Sequence, residues 1–302
     1  MRQTKDSHEE MFKDNTLTKF IFDNTNIKGQ AVTLCSYHRD VISINSYSQN
    51  VSKLLGEFIA AVCLLNANLK YNGRLILHAQ RSKGLSSIMA ECTSKNNIRG
   101  IVRGDFSMLS DQIDFYQMFK KGTLRLTMEP ESGDRYQGIV PICENTLSGC
   151  LEYYFEQSEQ LKTKIKLAGN MQTAAGILLQ KMPEQTSSDD CSQDWREKSI
   201  LLETLRAEEQ INLAHYDQLT SLFSNDDVRI LSVENPNFWC SCSRERFLKA
   251  LHELYSKEPR SFFEEGDSIS ANCEFCDKNY EFHKSEFKNK YNQRRENNLS
   301  DI

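Results

Sequence analysis

Four cysteines in two close pairs carry the strongest chemical signal in the chain: Cys240-Ser241-Cys242 and, after thirty further residues, Cys273-Glu274-Phe275-Cys276. Two short turns that each present two thiolates can supply all four ligands of a tetrahedral zinc ion, at bonds of about 2.3 Å. The spacing therefore predicts one Zn²⁺ per chain, held by Cys240, Cys242, Cys273 and Cys276, rather than four unrelated buried cysteines. The usual duty of such a site is structural. The C-x-C spacing is less usual and leaves a second reading open. Cysteines two apart reach disulfide geometry only with ring strain, and strained bridges have more oxidising, readily reversed potentials. Oxidation would consume the thiolates, eject the ion and remove a stabilisation of roughly 10–16 kcal/mol in zinc-finger peptides. A module this small cannot replace that from its own core.

The elements needed to position these turns are legible. Phe247, Leu248, Leu251, Leu254 and Tyr255 mark a short amphipathic helix opening near Ser243, and Tyr280-Glu281-Phe282 alternates as a strand does. Upstream, Val51, Leu54, Leu55, Phe58, Val62, Leu65 and Leu69 recur at helical steps and define a core helix ending near Tyr71-Asn72-Gly73. Leu75–Gln80 and Leu124–Glu129 alternate as strands, Asn145 or Thr146 can cap a helix carrying Leu151, Tyr154 and Phe155, and Gly176-Ile177-Leu178-Leu179 reads as a buried strand.

Charge divides the chain. Residues 1–183 carry 22 Lys/Arg against 18 Asp/Glu, residues 184–236 carry 4 against 12, and residues 237–302 carry 11 against 12. The middle block is an acidic bridge that opens, after Pro183, with the polar stretch Glu184–Asp194. Its apolar residues, Ile200, Leu201, Leu205, Ile211, Leu219, Leu222 and Phe223, sit among charges and predict weakly amphipathic helices that need a surface to lean on. The expected class is α+β: a mixed α/β core over 1–183 with residues 1–15 disordered, a helical linker over 184–236, a small zinc domain over 237–287 and a disordered tail over 288–302.

Composition narrows the function classes. The 302 residues are 39% apolar and 26% charged with 13 Gly and 5 Pro, which excludes collagen-like and fully disordered chains. Mean hydropathy is −0.58. The longest apolar run, Phe58–Leu65, is far short of the ~18 residues a spanning helix needs, so no membrane association is expected. The first fourteen residues lack the apolar stretch of a secretory signal, which predicts a reducing cytoplasmic setting and argues against a static disulfide scaffold. No P-loop, G-x-S-x-G or H-E-x-x-H signature occurs, so neither ATP hydrolysis nor hydrolase catalysis is expected. Cys35-Ser36-Tyr37-His38 has ligand-like spacing but no second half, and His283 is redundant beside four cysteines. Cys35, Cys63, Cys92, Cys143, Cys150 and Cys191 stand outside the two pairs; most are expected as packing residues, and Asp189 and Asp190 oppose thiolate formation at Cys191.

Cys240-Ser241-Cys242-Ser243-Arg244-Glu245-Arg246, Cys273-Glu274-Phe275-Cys276, Asp134-Arg135-Tyr136-Gln137-Gly138, Ser158-Glu159-Gln160-Leu161 and Leu54-Leu55-Gly56-Glu57 occur in an order that resembles the bacterial 33 kDa heat-shock protein family, redox-regulated holdase chaperones. The resemblance runs from about Thr18 to Phe287. It implies an ATP-independent chaperone, not an enzyme, that is idle when reduced and zinc-loaded. On oxidation it would pair Cys240 with Cys242 and Cys273 with Cys276, unfold its linker, dimerise and bind unfolding client proteins. The charge partition suggests how a linker could be held: an acidic block beside a basic domain can dock partly by charge and partly through Leu201, Leu205, Leu219 and Leu222. Two rivals remain at this level. A zinc-ribbon nucleic-acid binder would need a basic face, for which Arg244, Arg246, Lys249 and Lys288 are candidates. A thiol–disulfide oxidoreductase would need an exposed, low-pKa C-x-x-C beside a βαβ unit.

Overall fold

The computed structural model describes residues 15–35, 37–45, 47–81, 86–104, 114–183, 190–257, 263 and 266–287. The expected disordered ends fall outside the described residues, apart from Asn15, as does the linker's opening up to Asp189. The chain separates into two compact units, 1–239 and 240–302.

The first unit contains β1 (Thr16–Phe22), β2 (Ile27–Leu34), α1 (Tyr37–Ile44), α2 (Gln49–Asn66), β3 (Gly73–Gln80), β4 (Ser87–Thr93), β5 (Asn97–Arg103), α3 (Phe115–Phe119), β6 (Thr123–Pro130), β7 (Tyr136–Val140), α4 (Leu147–Ser158), β8 (Thr163–Gly169) and β9 (Ala174–Lys181). It continues with α5 (Asp190–Thr204), α6 (Ala207–Asn212), α7 (His215–Leu222), β10 (Val228–Glu234) and β11 (Asn237–Phe238). The strands form a five-stranded sheet, β10-β1-β2-β9-β8, and a six-stranded sheet, β11-β5-β4-β3-β6-β7. The helix read from the Val51–Leu69 pattern is α2, which ends at Asn66 with Ala67 as its C-cap rather than near Tyr71–Gly73, leaving Leu69 in the following turn; it contacts both sheets and is therefore apolar almost all round. Its approach to β9 is close enough that a Cβ at Gly176 would lie 2.7 Å from Leu64.

Thr146 caps α4 by accepting from the Gly149 N–H (3.1 Å). The Tyr154 hydroxyl, held beneath β7, donates to Glu159 (3.0 Å) and lies 3.3 Å from the Tyr136 hydroxyl. A Cβ at Gly138 would sit 2.3 Å from that same oxygen. Two of the recurring motifs, around Tyr136–Gly138 and Glu159, thus meet on one buried phenol.

The five-stranded sheet is buried on both faces, by different neighbours. Leu17, Val32, Leu34, Ile165 and Leu178 join the α2 core, whereas Phe20, Phe22, Ile27, Ala31, Ile177 and Leu179 face Leu202, Leu205, Leu219 and Phe223 of the α5–α7 layer. Phe22 and Phe223 meet edge to face at 4.8 Å. Leu205 and Leu219 anchor as the sequence predicts, with Leu201 and Leu222 half-buried beside them. Ile200 does not: it is 52% exposed and Leu202 is buried instead, because the weak amphipathicity of α5 leaves its phase poorly marked. The expected all-helical linker also ends in a strand. Val228, Ile230 and Val233 favour extended backbone, and β10 pairs antiparallel with β1. β11 then pairs with β5, so the first unit extends to Trp239, three residues past the expected boundary.

Charge contributes to this docking. Glu203 pairs with Lys164, Glu234 with Lys19 (2.9 Å) and Arg229 with Asp23 (2.8 Å). Within the layer Lys198 is buried against Asp226 (2.6 Å). Three buried oxygens there lack a hydrogen-bond partner, Gln210 Oε1, Gln218 Oε1 and Asp226 Oδ2. His215 opens α7 with Nδ1 2.8 Å from the Thr18 hydroxyl and Nε2 2.9 Å from that of Thr33. Burial holds its pKa down to about 4.

The second unit comprises α8 (Arg244–Lys257) and the hairpin β12 (Ser268–Asn272)/β13 (Asn279–His283). Its core is four aromatic rings, Phe263, Tyr280, Phe282 and Phe287, flanked by Phe247, Leu248, Leu251 and Tyr255. No residue of α8 is fully buried, and Leu254, read as part of its apolar face, is 54% exposed.

Two outcomes follow for the layer. Phe223→Ala removes its edge-to-face anchor and is expected to cost about 3–5 kcal/mol. Amide exchange should accelerate across 195–225 while β3–β6 stays protected; uniform acceleration of both would show that the layer is not a separate cooperative unit. The folded-state pKa of His215 lies below its unfolded value, so the unfolded or undocked form binds the extra proton. Stability is full above about pH 6.5 and falls as pH drops through about 4, by up to ~3 kcal/mol. Denaturant titrations between pH 4 and 7 should show that slope in the wild type and its loss in His215→Gln.

Candidate metal centre

The two cysteine turns converge. The four Sγ atoms of Cys240, Cys242, Cys273 and Cys276 all lie within 4.8 Å of one another. Cys240 and Cys273 approach to 3.5 Å, as do Cys242 and Cys276. A tetrahedron of ~2.3 Å zinc–sulfur bonds has edges of about 3.8 Å. A single ion fits this sphere with small movements of the side chains.

Local backbone shapes the second turn for anionic sulfur. The Cys276 and Asp277 N–H groups donate to the Cys273 carbonyl (3.2 and 2.7 Å), and the Cys273 N–H donates to Lys278 O (3.0 Å), closing the turn. Asp277 takes a left-handed φ of 53°, which Asp tolerates better than most side chains. The backbone N–H groups of Phe275 and Cys276 are thereby aimed at the Cys273 sulfur, and that of Lys278 at the Cys276 sulfur. Such donors favour thiolates and suit a metal-bound cysteine turn.

The first turn is held by its own arginines. Arg246 donates to both the carbonyl and the hydroxyl of Ser241 (2.8 Å each), and its N–H reaches Ser243 Oγ (3.3 Å) at the start of α8. Arg244 grips Glu286 with two nitrogens (2.7 and 2.8 Å), donates to Glu281 O (2.9 Å) and stacks on Phe282 with 4.7 Å to the ring centroid. The guanidinium holds the Glu286 carboxyl down to about 2. Sequence offers the two arginines only as basic-face candidates and Tyr280 only as a strand residue, and it gives Glu286 no role; their part in bracing the cysteine turns comes from the structure.

The thiols are electrostatically coupled. Burial pushes Cys242 up, but hydrogen bonds from the Tyr280 hydroxyl (3.2 Å) and the other thiols prevail and bring it to about 7. Burial and the neighbouring sulfurs raise Cys276, and burial raises Cys273. Without a cation, then, one proton leaves readily while further charge is opposed. A bound dication would remove that opposition.

The other sequence candidates are placed elsewhere. His283 offers its backbone N–H to Glu286 (2.8 Å). Cys35 closes β2, and the side chain of His38 lies outside the described residues. Cys63, Cys92 and Cys150 are buried packing residues, Cys143 is exposed, and the Cys191 side chain is outside the described set.

The family model described as Hsp33 protein matches residues 15–283. This chain belongs to the Hsp33 family. Among curated Hsp33 relatives, the 33 kDa chaperonin of Ectopseudomonas mendocina is 37% identical over 267 residues, covering 87% of this chain and 90% of that protein. The 33 kDa chaperonin of Hahella chejuensis is 37% identical over 271 residues, covering 89% and 94%. The crystal structure of the Hsp33 homologue from Thermotoga maritima superimposes with a TM-score of 0.78 at 18% identity, covering 91% of this chain and 97% of that one. The resemblance read from the motifs is thus established, and with it the α+β class.

Protein purified under a thiol reductant is expected to carry about one zinc per chain by elemental analysis. Cys273→Ser, or a chelator strong enough to strip the ion, should collapse the amide dispersion of residues 240–287 while leaving that of β3–β6 intact. A metal-free 240–287 unit with native dispersion would refute dependence of this unit on the ion.

Proposed function

We propose that this chain is a redox-regulated, ATP-independent holdase. Its membership of a family whose curated relatives are named chaperonins supports chaperone activity without catalysis. The observation that carries the redox switch is the meeting of four thiols in a unit whose long helix, α8, has no fully buried residue.

In the reduced state Cys240, Cys242, Cys273 and Cys276 would hold one Zn²⁺, which would cross-link the two turns and offset two of the four thiolate charges. The chain's own part is to keep the sulfurs together, through the turn at Cys273–Lys278, the Arg246–Ser241 clamp and the Arg244–Glu286 pair. Peroxide removes two electrons from each cysteine pair, giving Cys240–Cys242 and Cys273–Cys276 disulfides and two waters per peroxide reduced. With its ligands gone the small unit loses its fold, and the α5–α7 layer then leaves the sheet. Release bares Phe20, Phe22, Ile27, Ile177 and Leu179, an apolar surface suited to unfolding clients in the cytoplasm and to association of two oxidised copies.

The rivals find less support. Arg244 is committed to Glu286 and Phe282, and Arg246 to Ser241, which removes two members of the basic face a nucleic-acid binder would use. Cys273 is buried in the four-sulfur cluster and sits beside a β-hairpin, with no βαβ unit around it among the described residues.

Light scattering of a thermally unfolding client, followed together with zinc release, tests the proposal. Reduced protein should protect poorly, and peroxide-treated protein should suppress aggregation near stoichiometric amounts without ATP. Cys273→Ser should protect without oxidant. Equal protection by reduced and oxidised wild type would remove the redox switch while leaving the chaperone assignment standing.

A further inference from the structure

We propose that the Tyr280 hydroxyl donates a hydrogen bond to the Cys242 sulfur in the metal-loaded centre, slows peroxide attack at that atom and so biases the oxidant away from the Cys240–Cys242 pair. The inference rests on the four-thiolate site proposed above. Tyr280 Oη lies 3.2 Å from Cys242 Sγ. A thiolate that holds a metal carries no proton, so the contact has one sense: the phenol donates and the sulfur accepts.

The hydroxyl reaches that sulfur from the opposite cysteine turn. Tyr280 stands four positions past Cys276, near the start of β13, where it pairs with Ala271 of β12. Just ahead of it the Cys273 N–H donates to Lys278 O (3.0 Å) and closes the second turn. The ring is buried, lies 5.0 Å from that of Phe247 on α8 and has the Lys278 ammonium 5.3 Å from its centroid. Held by the hairpin backbone and by Phe247, the phenol has little freedom to leave the sulfur. Its hydroxyl therefore links the chain that follows Cys276 to the first cysteine turn.

The consequence is kinetic. Four thiolates around a dication leave two negative charges on the sulfurs, and that charge makes them nucleophiles toward a peroxide. A Cys242 lone pair attacks one oxygen of hydrogen peroxide and the O–O bond breaks, leaving Cys242 sulfenic acid and a hydroxide that solvent protonates to water. The Cys240 thiolate then displaces the sulfenic oxygen as a second hydroxide, likewise protonated, and the S–S bond forms; two thiolates lose two electrons and one peroxide gains them. In the first step negative charge passes from sulfur to oxygen, so a hydrogen bond to the sulfur stabilises the resting thiolate more than the transition state. The backbone N–H groups of the Cys273–Lys278 turn act on the other pair and are untouched by the Tyr280 side chain.

Full-length Tyr280→Phe keeps the ring against Phe247 and removes only the oxygen. Loaded with Co²⁺, wild type and variant should both show thiolate-to-cobalt charge-transfer bands. Those of the variant should lie at longer wavelength, because a sulfur that has lost a hydrogen bond gives up its electrons more readily. With zinc bound and peroxide below one equivalent, alkylation and peptide mapping give the ratio of oxidised Cys240–Cys242 to oxidised Cys273–Cys276. That ratio should rise roughly fivefold in the variant, the worth of one modest hydrogen bond. In wild type loaded with a magnetic cadmium isotope, the Tyr280 hydroxyl proton should exchange slowly and couple to the metal through sulfur, a measurement that needs no variant. Unmoved charge-transfer bands overturn the inference. So does oxidation of the two pairs in the wild-type ratio, even at a higher overall rate, since loss of packing alone would speed both alike. If Tyr280→Phe takes up no cobalt, the cadmium measurement decides, and a rapidly exchanging, uncoupled hydroxyl overturns the inference. A wild type that binds neither zinc, cobalt nor cadmium defeats the four-thiolate reading itself, whereas metal binding with unmoved bands defeats only the role given to Tyr280.

Discussion

Four thiolates crowded into one sphere repel one another, and only a cation makes their proximity favourable. That constraint governs the second unit. Its aromatic cluster of Phe263, Tyr280, Phe282 and Phe287 is small, and its helix leans on that cluster without a fully buried residue. Structural zinc contributes roughly 10–16 kcal/mol in isolated fingers, as much as the whole net stability of an ordinary domain. On the function proposed above, the fold of residues 240–287 is conditional on the state of four sulfur atoms, and a reagent that alters those atoms addresses the whole unit at once. The arginine clamps belong to the same logic: Arg246 braces the first cysteine turn at Ser241, and Arg244 ties the start of α8 to Glu281, Phe282 and Glu286.

A second conditional element lies in the first unit. Its five-stranded sheet presents apolar side chains to both sides, as β9, buried along nearly its whole length, makes plain. One side is sealed by α2, a helix of 18 residues whose burial is almost complete. The other is sealed by three shorter helices, none of which would persist alone in water, and by a β10 strand at the sheet edge. The sheet is thus permanently covered on one face and covered on the other only while the layer stays docked.

The sequence announced those parts whose signal is local or strongly periodic. The cysteine spacing foretold the four-sulfur cluster, the Val51–Leu69 pattern foretold the body of α2, and a cap at Asn145 or Thr146 foretold the start of α4. It was less informative where tertiary contacts choose between near-equal local options. The phase of α5 is ambiguous because charges interrupt both faces, and only contact with Phe20, Phe22 and Ile177 selects Leu202 over Ile200. The β10 segment has the residues of a strand, but its short span at the end of a block read as helical gave no hint that β1 would recruit it. Arg244, Arg246, Glu286 and Tyr280 act through partners as many as 42 positions away, a separation no spacing rule encodes.

The docked layer differs from the permanent core in kind as well as extent. Gln210 and Gln218 donate to backbone carbonyls, Gln210 to Lys166 and Gln218 to Leu213, yet their own carbonyl oxygens are buried without a partner, as is Asp226 Oδ2 beside the buried Lys198. Each such acceptor costs about 1–3 kcal/mol relative to its hydrated state. Undocking would return all three oxygens, the Lys198–Asp226 pair and the imidazole of His215 to water, a gain set against the loss of contact at Leu202, Leu205, Leu219 and Phe223. These polar groups oppose docking, whereas the leucines and Phe223 favour it.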